Sequence, residues 1–129
     1  MRRGAFIMMT AGLIALAAPA QAEPRAEYVT LVLQAFAAKV NCPHTDVVYQ
    51  DLVQKANEMH LPDGTTEQVR KAIAYMLTGE RMGERGDDEL MRDVAIATQS
   101  TDFDQKRLGM PAWCETQKGA LVGLIRNKE

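Results

Sequence analysis

The chain carries two cysteines, Cys42 and Cys114, set far apart behind a start that reads as an export address. Arg2 and Arg3 give a basic opening, and Ala5 to Ala18 is an apolar run broken by Pro19. Ala20-Gln21-Ala22 then supplies the small residues that a signal peptidase requires. The pattern predicts a signal peptide over residues 1–22, cleaved after Ala22, and a protein that works in the periplasm or outside the cell. The apolar run is shorter than the about 20 residues of a transmembrane helix, an uncleaved anchor being the alternative. No Ser or Thr precedes the arginine pair, which favours the general secretion route over the twin-arginine one, and no Cys lies at the cleavage point to take a lipid.

In an oxidising compartment an even cysteine count favours a disulfide. A Cys42–Cys114 bridge would close a loop of roughly 70 residues, for which the chain-entropy account gives about 4 kcal/mol. That is a large share of the about 5–15 kcal/mol that stabilises a whole domain. Two free thiols and a metal site are the competing readings, and a metal site would need further ligands in a chain with only 2 histidines.

The formal net charge is −2, and it becomes more negative once Arg2 and Arg3 leave with the leader. Basic residues are scattered among acids. There is no concentrated Lys/Arg patch of the kind that binds nucleic acid and no polybasic segment for anionic lipid. The expectation is no nucleic-acid partner and no membrane in the mature form.

Hydrophobic spacing is helical almost throughout residues 23–129, which we read as a single domain. Val29, Val32, Leu33, Phe36 and Val40 share one face of a first helix over 25–40, and Asn41-Cys42-Pro43 stops it. A second helix is expected from Thr45 as cap, with Tyr49, Leu52, Val53, Ala56 and Met59 inward. After the Leu61-Pro62-Asp63-Gly64 turn, Thr65 to Gln68 matches a capping box, with Thr65 as cap. Val69, Ala72, Ile73, Met76 and Leu77 follow as the third helix's face. Leu90, Met91, Val94 and Ala97 or Thr98 mark a fourth. Thr101 is expected to cap a short turn that Gly109 ends. Pro111 opens a last helix with Trp113, Gln117, Ala120, Leu121, Leu124 and Ile125 inward. No alternating β pattern is evident. The fold class predicted is all-α, a four- to five-helix bundle closed by one disulfide.

Between the third and fourth helices the chain reads Gly79-Glu80-Arg81-Met82-Gly83-Glu84-Arg85-Gly86-Asp87-Asp88-Glu89. Three readings compete: a joint in which Gly79 or Gly86 ends one helix and Asp87 caps the next, a close-packed helix seam through Gly79, Gly83 and Gly86, and a metal loop using the three acids. The acids lack the alternate spacing of a calcium loop. In mid-helix, three glycines would cost about 3 kcal/mol. The joint requires nothing special.

Few residues carry chemistry. His44 and His60 read as surface or capping histidines; the alternative is a copper or zinc site built on His60 and Met59. Glu80 and Glu84 are a carboxylate pair that could in principle do acid–base work on a glycan, but each has an arginine beside it, as on a solvated face. No nucleophile elbow, phosphate loop, haem-attachment or zinc-protease motif occurs, so no catalytic, cofactor-binding or metal-binding residue is assigned and an enzyme is not expected. Trp113 reads as packing over the bridge, with a partner-binding anchor as the alternative.

Asn41-Cys42 closing a first helix, Pro111-Ala112-Trp113-Cys114 opening a last one, and Gly123-Leu124-Ile125-Arg126 near the end together resemble a group of small secreted, two-cysteine, all-helical bacterial proteins with no assigned activity. The resemblance implies the Cys42–Cys114 bridge and no activity. A second, looser likeness is to periplasmic acid-stress chaperones, small helical proteins with one disulfide. The function expected is that of an exported, non-enzymatic binding or accessory protein with an unidentified protein partner. The alternatives are a periplasmic metal-binding protein and an acid-stress chaperone-like protein.

Overall fold

The computed structural model describes residues 24–79 and 81–128; the expected signal peptide and Glu80 lie outside them. Five helices follow one another: α1 over 24–41, α2 Tyr49–Glu58, α3 Thr65–Thr78, α4 Asp88–Leu108 and α5 Met110–Ala120. Two residues on either side of the bundle pair as an antiparallel ribbon, β1 Thr45–Asp46 with β2 Arg126–Asn127. The protein is an all-α bundle closed by one disulfide, as its periodicity predicts.

The ribbon corrects the expectation of a helix starting at Thr45. Thr45 donates its hydroxyl back to the Pro43 carbonyl at 3.1 Å, and Asp46 accepts from Val47 N at 2.9 Å. With both side chains engaged locally and the backbone paired to β2, the helix begins only at Tyr49. Thr65 is not a cap either. Its hydroxyl donates to the Pro62 carbonyl at 2.7 Å, and Gly64, at φ 89, takes the cap position. Thr101 caps nothing, because α4 runs unbroken through it to Gly109 and buries its side chain.

The core draws on all five helices and on the tail beyond α5: Val29, Val32 and Leu33 from α1, Leu52 and Ala56, Val69, Ala72 and Ile73, Leu90, Val94 and Ala97, and Trp113, Leu121 and Leu124. Tyr28, absent from the predicted face, is fully buried and links three helices. Its hydroxyl donates to the Leu52 carbonyl and shares a hydrogen bond with the Thr66 hydroxyl, each at 2.8 Å. Burial pushes its phenol above the ordinary value.

The buried stripe of α1 turns as it runs. It starts on Val29, Val32 and Leu33 and moves to Ala35, Ala38 and Cys42, the side on which the sulfur bond draws in α5. Phe36 is left half-buried, and Val40, expected inside, is 81% exposed. At the far end of α3, Met76 and Leu77 are likewise exposed rather than inward. Ala120, too, is exposed on the last turn of α5.

Candidate functional site

Cys42 and Cys114 are bonded, with sulfurs 2.08 Å and Cα atoms 5.7 Å apart. Trp113 is buried in the same core cluster as the bridge, so it is a packing residue and not an exposed anchor. The bridge joins the end of α1 to the first half of α5.

The chain over 81–87 forms a joint between α3 and α4. Gly79 ends α3 at φ 74, the chain is non-helical from Arg81 to Asp87, and Asp87 caps α4 by accepting from Leu90 N at 2.8 Å. The three acids are occupied by protein groups. Asp87 also takes the Arg25 guanidinium at 3.3 Å, Arg85 holds Asp88 at 2.8 Å, and Arg25 reaches Glu89 at 3.7 Å. The Leu90 amide, followed by Arg25, holds the Asp87 carboxyl below the usual carboxylate range. These contacts are a helix cap and exposed ion pairs, the interactions of a joint. Gly83 does lie close on a helix, but the contact is with the α3 backbone at Lys71 and Tyr75 and not along a helix–helix seam. A shallow cavity of about 410 Å³ beside this joint is lined by Glu67, Lys71, Glu84, Arg85 and Asp87, whose signs alternate. Lys71 and Glu84 pair across it at 3.3 Å.

The histidines stand apart. His44 (φ 57) and His60 (φ 60) are exposed, each at a left-handed position in a turn. His44 offers its backbone carbonyl to Lys128 N at 2.8 Å. Among the described residues no group of three or more His, Cys, Asp or Glu is placed to hold a metal ion. Glu84 is paired with Lys71, and its expected companion Glu80 lies outside the described residues.

The feature that the sequence did not announce is a groove between α1 and α4. Leu33, Phe36, Ala37 and Val40 form one wall, Thr98, Thr101, Asp102 and Gln105 the other, and Leu77 closes the end. Its volume is about 270 Å³. The lining is mostly apolar, and Val40 and Leu77 stand exposed at its rim. On the α4 wall, the Thr101 hydroxyl and the Gln105 amide nitrogen are shielded from solvent and lack a hydrogen-bond partner among the described residues. Thr101 itself is 5% exposed. Buried polar atoms are normally satisfied, so two orphans one helical turn apart call for an explanation. The sequence signals for the groove are two apolar residues, Val40 and Leu77, placed on core stripes that their helices do not bury along the whole length.

None of the described helices is long and apolar enough to cross a membrane. No protein-family model, curated protein or solved structure compared with the chain matches it.

Proposed function

We propose that this is an exported, non-enzymatic binding protein that holds an apolar ligand in the groove between α1 and α4. The observation that carries the reading is the groove itself: an apolar cleft with exposed Val40 and Leu77 at its mouth. A mostly apolar cleft is the usual form of a ligand site. Export is supported by the leader-like residues 1–22 and by a disulfide, which persists in oxidising compartments.

The test uses a neutral apolar dye. Nile red should brighten on the wild-type protein and lose that response in the Val40→Glu, Leu77→Glu double variant. Both side chains are exposed, so the double variant should keep its helical circular dichroism and stay within about 0.5 kcal/mol per site of the wild type. Dye that ignores the wild type, or brightens equally on both proteins, overturns the reading. Intact-mass analysis of native material tests export: the chain should begin at Glu23.

A further inference from the structure

Resting on the binding reading above, we propose that the groove takes a single medium-length acyl chain headed by an uncharged carbonyl, an amide or an ester, in preference to a free carboxylate. The volume of about 270 Å³ falls just under the roughly 300–1,000 Å³ of drug-sized sites, which suits one chain and not a two-chain lipid. Leu33, Phe36, Ala37, Val40 and Leu77 give that chain an apolar bed.

The head group follows from the opposite wall. Thr101 and Gln105 stand at i and i+4 on α4, neighbours on one helical face. Thr101 Oγ1 can donate one hydrogen and the Gln105 amide nitrogen two, and neither has a partner among the described residues. Both atoms are closed to solvent as they stand, so both side chains must turn toward the groove before a carbonyl oxygen, with its two lone pairs, can accept from each. Asp102, lining the same wall, decides between head groups. Its carboxylate is paired with Lys106 at 3.0 Å, but that pair is exposed and weak in water. A carboxylate head would meet a like charge there. An amide or ester would not.

Calorimetric titration of the purified mature protein at pH 7 with decanamide and with decanoate tests this. Decanamide should bind roughly tenfold more tightly. Thr101→Val should weaken decanamide several-fold while leaving the melting temperature unchanged or higher, because the isosteric change removes an unpartnered hydroxyl. Gln105→Leu should act in the same direction, and Asp102→Asn should bring decanoate toward parity. Equal affinity for the two probes overturns the proposal, as does indifference to Thr101→Val. The groove is then an apolar surface alone, and the binding reading stands without its head-group specificity. A Thr101→Val protein that melts well below the wild type also overturns it, since the hydroxyl is then satisfied by a buried water. If neither probe binds a protein that does take up Nile red, only this proposal fails; if Nile red fails too, the binding reading goes with it.

Discussion

Gly83 offers a sharp test of how the α3–α4 joint is held. A Cβ built on it would collide with Lys71 O and Tyr75 N and lie 2.9 Å from Ala74 C. All three are backbone atoms of α3, so no side chain can swing away to make room. In Gly83→Ala the joint must lift off the helix, giving up the Glu84 N to Lys71 O hydrogen bond of 3.2 Å. Overpacking of this kind costs about 1–3 kcal/mol, and the hydrogen bond adds about 0.5–1.5 kcal/mol. The restriction that alanine imposes on the unfolded chain returns about 0.4–1 kcal/mol. The expected net loss is about 0.5–4 kcal/mol, read as a lower urea midpoint at constant slope in the oxidised protein. Gly119→Ala is the internal control. Gly119 lies within α5 with nothing within 4 Å of its added Cβ, so the change should stabilise by up to about 1 kcal/mol. A Gly83→Ala protein within about 0.5 kcal/mol of wild type would refute the claim that the joint is pressed onto α3.

Three further outcomes are expected. Tyr28→Phe should cost about 1–3 kcal/mol in chemical unfolding, because it strips a hydrogen bond from the Leu52 carbonyl and leaves the Thr66 hydroxyl without its partner in the core. Replacing both cysteines by serine should remove about 4 kcal/mol on the chain-entropy account, for a sequence separation of 72, and reduction of the wild type should match it. Glu67 is held to about 2 from an ordinary 4.5, first by the hydrogen bond from Arg70, which reaches it at 2.6 Å. A depressed carboxyl stabilises the fold above its unfolded value and loses that contribution as pH falls from about 4.5 through about 2. Glu67 is 42% exposed, so the contribution is screened to below about 1 kcal/mol. The gap between wild type and Glu67→Gln in acid titrations should therefore close over that window and shrink in salt.

Much of the fold is legible in the sequence, because it rests on spacing and on covalent chemistry. Val69, Ala72 and Ile73, or Leu90, Val94 and Ala97, can face one way only on a 3.6-residue helix, and all six are buried. Gly79 and Asp87 likewise carried the joint in their own backbone preferences. Misreadings arose where a short polar side chain had two local uses. Thr45, Thr65 and Thr101 each read as caps, yet the first two bond backward to proline carbonyls and the third sits within an unbroken helix. The groove was illegible for another reason. Whether Val40 is inside depends on which side of α1 its neighbours occupy, a tertiary fact that periodicity along one helix does not contain. The two-residue ribbon is too short to alternate at all.

The bond between Cys42 and Cys114 spans the whole of the exposed Arg81–Asp87 joint. Trypsin cutting after Arg81 or Arg85 would therefore divide the polypeptide without separating its halves. The nicked molecule would travel as one species, a single water heavier, and come apart only when a reductant is added and the fold is loosened.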